Sequence, residues 1–516
     1  MSQQPNEQWG TRIGLVLAMA GNAVGLGNFL RFPVQAAQNG GGTFMIPYFI
    51  SFLLLGIPLM WIEWGVGRHG GRFGHHSVPG MFDVLTDRKK KWAKYFGILG
   101  VIMPLVVFIY YTYIASWMLG FSFFSLTGKY FGLGDDVQSR AEGVRTFLAS
   151  YQDIGDTTGA GGFMPIIFFA ITMLFLGWVL ARGISGGIEK LALYGVPILF
   201  LFAIVLLVRI LTLEPQAASA ADGLNFIWNP NWSELGNARV WLAAAGQMFF
   251  TLSVGMGSIQ TYSSYLKRKD DVTLTGLSTA ATNEFAEVVL GGTIAIPAAV
   301  IFFGVAGATA IANNGSFDLG IVAMGTVLGE IGGSEIWGFI WFFLLFIAGV
   351  TSCVALASPT IAFLQEEIGM TRRNAARAVT ALGIGLGLFH VFFLQRGVLD
   401  EWDYWAGTFG LVVFAALEVF LFSYVFGINR GWDELHEGAD LKIPGFYKPV
   451  MKWVTPSFLL VLLTWWGWTE AIPKLRMEGV PEENVPYLWV ARAIMALMCI
   501  VGVVLLKRSW ARRNLG

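Results

Sequence analysis

The chain has 516 residues, 55% hydrophobic and only 13% charged, with 34 basic residues against 34 acidic ones and a positive mean hydropathy. That balance excludes an ordinary soluble globular protein and leaves no net charge on which nucleic-acid binding could rest. A polytopic membrane protein is what remains.

Apolar runs long enough to cross the hydrocarbon core recur at 13–37, 44–67, 95–125, 163–181, 191–213, 240–262, 285–312, 336–364, 377–395, 405–427, 453–472 and 486–506. They predict about twelve membrane-spanning helices. Between the second and third runs lie Arg68, Arg72, Arg88, Lys89, Lys90, Lys91 and Lys94. Later connections carry Lys267, Arg268 and Lys269, then Arg372, Arg373 and Arg377, whereas Asp135 and Asp136 mark an acidic one. The positive-inside rule therefore puts both termini in the cytoplasm, and the tail with Lys507, Arg508, Arg512 and Arg513 agrees. The amino terminus lacks a basic region followed by a short apolar core and a cleavage site, so the first span is expected to be kept. Cys353 and Cys499 both lie in apolar runs, and no structural disulfide is expected. His69, His75 and His76, near the first basic connection, read as solvated rather than metal-bound.

Two spans are interrupted. In "GNAVGLGNF", 21 to 29, glycine and asparagine crowd the middle of the first run, with Pro33 shortly after. Close helix packing explains a glycine pair in a membrane helix. Here the pattern is denser, and "FFTLSVGMGS", 249 to 258, repeats it in the sixth run. Paired interruptions in corresponding spans point to an inverted repeat with a binding site at the midplane, spans one to five forming one half and six to ten the other. Carbonyls freed by unwinding cannot stay bare in hydrocarbon, so they face a ligand or ion. Half-helix amino termini suit a carboxylate. In the eighth run "TSC", 351 to 353, adds two hydroxyls, and in the seventh "TNEFAE", 282 to 287, sets Asn283 and Glu287 one turn apart. Taken alone, Thr351 or Ser352 reads as bonding back to its own helix. Intramembrane Glu63 and Glu287 are costly and point to function. Oxygen ligands without clustered cysteine or histidine suit an alkali cation. No phosphate-cradling loop with its lysine is present, so ATP is not the expected energy source.

The stretches "GNAVGLGNFLRFPVQAAQNGGGTFMIPY", "GQMFFTLSVGMGS", "TNEFAEVVLGG", "AGVTSCVALASP" and "DEWDYWAGTFG" resemble the neurotransmitter:sodium symporters, in the prokaryotic branch close to the bacterial leucine transporter. The resemblance covers nearly the whole chain. It implies two sodium sites. The first would comprise the Ala23 carbonyl, the Asn28 side chain, Thr251 through hydroxyl and carbonyl, and Asn283, completed by the substrate carboxylate. The second would comprise the carbonyls of Gly21, Val24 and Ala348 with the hydroxyls of Thr351 and Ser352. The substrate carboxylate would meet the amides of Leu26 and Gly27 and the Tyr111 hydroxyl. Its ammonium would meet carbonyls of Ala23, Phe250 and Thr251 and the Ser253 hydroxyl. Its side chain would sit among Val107, Tyr111, Phe250, Ser253, Met256, Ser352, Ala355 and Leu356. Monoamine-carrying relatives have an aspartate at the position of Gly25, so this ligand brings its own carboxylate and is an amino acid.

The same resemblance assigns gates. Arg31 and Asp403 correspond to an outer ion pair above a lid of Tyr111 and Phe250. The inner pair's positions hold Asn6 and Glu366, so no ionic latch is expected there, leaving Trp9, Ser264, Tyr265 and Arg12 to close the inside. Glu287 stands where chloride-dependent relatives have serine and would substitute for chloride; Glu63 would cap amides of the unwound sixth span. Gly187 and Pro197 match a family pattern linked to local unwinding, and match equally an ordinary helix start and a kink.

The sequence thus reads as an all-α integral membrane protein with a five-plus-five inverted repeat and broken helices one and six. Its parts are a cytoplasmic segment 1–11, halves 12–214 and 238–427, helices eleven and twelve in 448–510, and a cytoplasmic tail 511–516. The expected function is sodium-coupled, chloride-independent import of a large apolar or aromatic amino acid by alternating access. The expected location is the cell (inner) membrane. A non-transporting amino-acid sensor is the alternative, and an enzyme is not expected, because no reachable nucleophile accompanies Glu63 and Glu287. Expected partners are the amino-acid substrate, two sodium ions and membrane lipid, with no nucleic acid and with a homodimer left open.

Overall fold

A computed structural model of the chain describes residues 7–155, 161–315 and 317–513, and among these it is helical with no strand. The first span is a pair, α1 (Arg12–Ala23) and α2 (Gly27–Gln38), bent by 45°. Intact spans follow as α3 (Gly42–Arg72), α4 (Ala93–Leu126), α5 (Met164–Ala181) and α6 (Ile184–Leu211). The sixth predicted span is divided into α7 (Ala238–Leu252) and α8 (Ser258–Ser263), each too short to cross alone. Beyond it lie α9 (Val272–Asn314), α10 (Ser334–Ile368), α11 (Arg372–Arg396), α12 (Val398–His436), α13 (Tyr447–Leu475) and α14 (Val485–Arg512). Among the described residues ten helices are thus long and apolar enough to cross a membrane, and eleven when the bent pair counts as one.

Local chemistry sets the ends. The Thr11 hydroxyl accepts the Gly14 amide at 2.9 Å to start α1, and the Asp271 carboxylate accepts the Leu274 amide at 2.8 Å to start α9. The α1 helix ends where Val24 turns extended (ψ 97°). The α7 helix ends at Ser253, which is left-handed at φ 53°, and Gly255 and Gly257 follow at φ 77° and 70°. Space enforces those two glycines as well as conformation. A Cβ at Gly255 would sit 2.5 Å from the Leu411 carbonyl oxygen, and one at Gly257 would sit 2.2 Å from that of Gly100.

The broken pairs occupy the centre beside α4 and α10, which share the most extensive helix packing in the molecule. Burial separates centre from rim: the most apolar stretch of α4 is 89% buried and that of α14 only 17%. Exposed Leu201, Leu497 and Ile500 on α6 and α14 belong to a lipid-facing surface. The α6 helix is continuous, with Gly187 in its first turns and Pro197 within it. Cys353 and Cys499 are free.

Two sequence expectations fail at the end of α3. The helix continues through Arg72, so Arg68 is no part of a basic connection: it is fully buried, with Nε 3.0 Å from Glu434 of α12 and Nη1 2.7 Å from the Asp270 and Glu437 carbonyls. His69 is likewise buried rather than solvated, its Nδ1 3.1 Å from Glu434. A partner carboxylate hundreds of residues away offsets the burial, and no local pattern announces it. Glu434→Leu leaves Arg68 without its counter-charge and is expected to cost about 3–5 kcal/mol. Arg68→Met with Glu434→Leu should recover most of that in thermal unfolding of the detergent-solubilised chain. A double variant no more stable than the single one would contradict this account.

Candidate functional site

The two breaks touch. The Ser253 hydroxyl, at the end of α7, donates to the Asn22 carbonyl at 3.0 Å, and Asn28 Nδ2 lies 3.4 Å from the Thr251 hydroxyl. Asn283 of α9 completes the group. Its side-chain amide is 2.8 Å from that of Asn28 and 2.8 Å from the Thr251 hydroxyl. With the amide oriented to satisfy its neighbours, it also faces the carbonyls of Ala23 at 3.0 Å and Thr251 at 3.2 Å. The residues expected to form the first cation site therefore converge. Glu287, one turn beyond Asn283 and fully buried, accepts from the Thr251 hydroxyl, from Tyr48 at 2.9 Å and from Gln247 at 2.5 Å. Sequence reasoning missed Tyr48 and Gln247, whose one signal is polarity inside apolar runs.

A second group lies between α1 and α10. The Ser352 hydroxyl reaches across to the Gly21 carbonyl at 3.3 Å, whereas Thr351 bonds back to Ile347 at 2.9 Å and Ala348 at 3.1 Å. Gly21 lets the helices approach, since a Cβ there would sit 3.0 Å from Thr351 Cβ. Val24 follows at the end of α1. Both groups present neutral oxygens, and among the described residues no cluster of three or more His, Cys, Asp or Glu could hold a metal. That donor set fits a hard monovalent cation and does not fit zinc or copper.

Between the breaks lies a small cavity of about 20 Å³ lined by Ala23, Gly25, Gly27, Asn28, Val107, Tyr111, Phe250, Ser253, Met256, Ser352 and Leu356. Ala355 is buried nearby without lining it, and Leu26 faces the outer space instead. The lining carries no formal charge. Gly25 is needed for room: a Cβ there would sit 2.7 Å from the Tyr111 hydroxyl and 2.8 Å from that of Ser352. The Leu26 amide and the Tyr111 hydroxyl, both expected to meet a carboxylate, bond to each other at 2.7 Å. The Glu63 carboxylate accepts the Gly255 amide at 2.5 Å, in the unwound stretch it was expected to cap.

Tyr111 and Phe250 line both this cavity and an outer one of about 420 Å³. The expected outer ion pair is not formed. Arg31 places its guanidinium 4.3 Å above the Phe250 ring, while Asp403 accepts the Tyr110 hydroxyl at 2.6 Å. Both charges find partners across the vestibule they line, which keeps them apart.

The inner side is more heavily held. Trp9 donates to the Tyr262 carbonyl at 3.2 Å and packs edge-on against its ring. The Glu189 carboxylate accepts the amides of Gly10 and Thr11 at 2.7 and 2.9 Å. Asn6 lies outside the described residues, but a charged contact does exist beside it: Arg372 pairs with Glu7 at 2.6 Å, opposite in sign to the family's arrangement. Glu366 has its own partners, His75 Nδ1 at 2.6 Å and the amides of His76 and Ser77 at 2.8 Å. His76 stacks on Tyr265 at 4.3 Å and lies 2.9 Å from the Ser264 hydroxyl, so neither histidine is solvated as the sequence suggested. Burial holds the His76 imidazole below its ordinary pKa. Arg12, also expected here, is exposed at the rim of a neighbouring cleft.

Known proteins match this arrangement along almost its full length. The model of the sodium:neurotransmitter symporter family matches residues 6–131 and 144–510. An uncharacterised sodium-dependent transporter of Methanocaldococcus jannaschii is 26% identical over 525 residues, covering 98% of this chain and 99% of its own. The sodium-dependent nutrient amino acid transporter 1 of Drosophila yakuba is 25% identical over 519 residues, covering 88% and 76%. Among solved structures, the crystal structure of MhsT in complex with L-phenylalanine superposes with a TM-score of 0.76 at 27% identity, covering 89% of this chain and 99% of that one. With two broken helices, neutral oxygen clusters beside a central cavity and a family match over nearly every span, the chain belongs to the sodium:neurotransmitter symporter family, whose members are transporters and not enzymes.

Proposed function

We propose that the chain imports an amino acid with a large apolar or aromatic side chain, by alternating access and driven by two sodium ions, without chloride. The observation that carries the reading is the oxygen cluster of Ala23, Asn28, Thr251 and Asn283 directly beside an uncharged cavity. Sodium-dependence is the family's property. The identity of the cargo is argued from the cavity. A charged side chain would be buried there without a partner and is rejected. Each extra buried methylene contributes about 0.8 kcal/mol where the cavity accepts it, and the flexible Met256 thioether makes way for bulk more readily than a ring. The bound phenylalanine of MhsT supports the same size class.

The steps follow from the contacts. Substrate enters from the outer cavity past Tyr111 and Phe250. Its carboxylate takes the Leu26 amide and the Tyr111 hydroxyl, replacing their mutual bond, and adds an anionic ligand beside Asn28 and Asn283. Binding of cargo and the first cation is therefore mutually dependent. The other cation links α1 to α10 through Gly21, Thr351 and Ser352. Losing it frees α1 to tilt, and the amino-terminal segment must leave Arg372, Glu189 and Tyr262 for the inside to open. Both termini are cytoplasmic in this reading, and residues 12–214 and 238–427 are the two inverted halves. Two sodium ions moving down a tenfold gradient and about 100 mV release about 7 kcal/mol, enough for about a 10⁵-fold accumulation of a zwitterion.

Three outcomes test this. Thr351→Val keeps shape and removes an oxygen, so sodium-dependent substrate binding should weaken by about 10- to 100-fold; an unchanged sodium titration sinks the second site. Glu287 supplies the negative charge that chloride would otherwise bring beside two cations, so wild-type uptake into vesicles should persist in gluconate, while Glu287→Ser should require chloride. Wild-type uptake that collapses without chloride refutes the assignment. In competition binding, leucine, methionine, phenylalanine and tryptophan should outcompete glycine and alanine, and Met256→Phe should disfavour the aromatic ligands most. Preference for glycine or a charged amino acid would overturn the cavity assignment.

A further inference from the structure

Away from the central cavity, α5, α6 and α11 end around an open groove of about 830 Å³. Five basic side chains line it, Arg182, Lys190, Arg372, Arg373 and Arg377, against one carboxylate, Glu7. Arg182, Lys190, Arg373 and Arg377 are exposed, and among the described residues no ion pair engages them. Arg372 is nine-tenths buried: Nη1 holds Glu7 and Nε donates to the Leu180 carbonyl at 3.2 Å, while Nη2 has no hydrogen-bond partner among the described residues. Three of these arginines occupy the first turns of α11, where the helix already carries partial positive charge. Gathering cations there is unfavourable unless an anion joins them.

The surroundings identify that anion's source. The groove opens at the ends of three spans, hence at the level of lipid headgroups. Trp178 stands at its edge, 53% exposed, with the Arg182 guanidinium 3.9 Å above its ring, as befits an interfacial aromatic residue. From this point exposed apolar side chains run along both flanking helices, Ile171 and Leu174 on α5 and Tyr194 and Ile198 on α6. A phosphate in the groove thus has an apolar path for the chains attached to it, which a free phosphate does not use.

We propose that this groove binds the headgroup phosphate of an anionic phospholipid, and that the bound phosphate competes with Glu7 for Arg372. Occupancy loosens the amino-terminal segment from the inner side, so a negatively charged membrane favours inward opening. The competition rests on reading that segment as the inner closure; the lipid site itself does not.

The test is lipid retention by the purified full chain, read by native mass spectrometry without sodium or amino acid, so its result is independent of transport. Wild type should retain phosphatidylglycerol over phosphatidylcholine. Arg182→Gln, Arg373→Gln and Arg377→Gln together should weaken that retention on the order of 100-fold, at about fivefold per basic residue, with phosphatidylcholine unaffected. The corresponding lysine variants keep the charge and should restore it, which separates loss of the site from misfolding. Glu7→Gln removes the competitor and should raise retention several-fold. Equal retention of the two lipids by wild type, or no loss in the glutamine variant, overturns the site. Inorganic phosphate displacing the lipid at millimolar concentration overturns the lipid as its occupant, and unchanged retention in Glu7→Gln overturns the competition.

Discussion

A helix inside hydrocarbon cannot be interrupted unless its freed amides and carbonyls find partners, and nearly everything at the centre of this molecule answers that requirement. The break after Ala23 is closed by Asn28, whose side-chain oxygen Oδ1 accepts the Gly25 amide at 2.9 Å, and by Ser352, which reaches the Gly21 carbonyl. The break after Leu252 is closed by Glu63 on the Gly255 amide and by Ser253 on the Asn22 carbonyl. Ser352 and Glu63 come from other helices, α10 and α3. The result is a cluster of oxygens between the broken helices, a donor set that fits a hard monovalent cation.

That dependence explains what was legible in the sequence. The breaks could be read because glycine, asparagine and serine are conspicuous in apolar runs, and the polar side chains that gather at them because hydroxyls and amides stand out there too. Span positions were readable for the same reason, except where 240–262 divides into pieces too short to count. Pairings between distant charges were not readable. Arg68 looked like part of a basic connection until Glu434 was seen beside it, and His75 and His76 looked solvated until Glu366 and Tyr265 were. Arg31 and Asp403 look like partners by position, yet each is taken by an aromatic neighbour, Phe250 and Tyr110. Sequence fixes which groups are costly to bury, while tertiary approach decides which of them meet.

The two sides of the cavity are closed by different physics. Outside, the rings of Tyr111 and Phe250 separate cavity from vestibule, with Arg31 resting on Phe250. Rings held by van der Waals contact and one cation–π contact move at small cost, of the order of 0.5–2 kcal/mol for the latter. Inside, the amino-terminal segment is tied by Glu7 to Arg372, by two amides to Glu189 and by Trp9 to Tyr262. These ties span separate helices, and releasing one leaves the others, so opening inward requires several to break together. On the transport cycle proposed above, the arrangement favours outer access until something acts on the whole inner set.

The absence of an arginine–aspartate latch in the family's usual order then becomes intelligible. Glu366 accepts from His75 and two amides, so its carboxylate already has partners of its own. The charge that secures the segment has moved to Arg372, at the start of α11, and its partner is correspondingly acidic, Glu7. Reversing the signs leaves the attraction between segment and helix unchanged, because Coulomb energy depends on the product of the charges. It does change what else can compete: a cation on the helix side is open to anions from its surroundings, whereas a carboxylate there would be open to cations. Which ions a gate answers to is thus set by which side of the pair carries which charge, a property no inspection of the pair's strength would disclose.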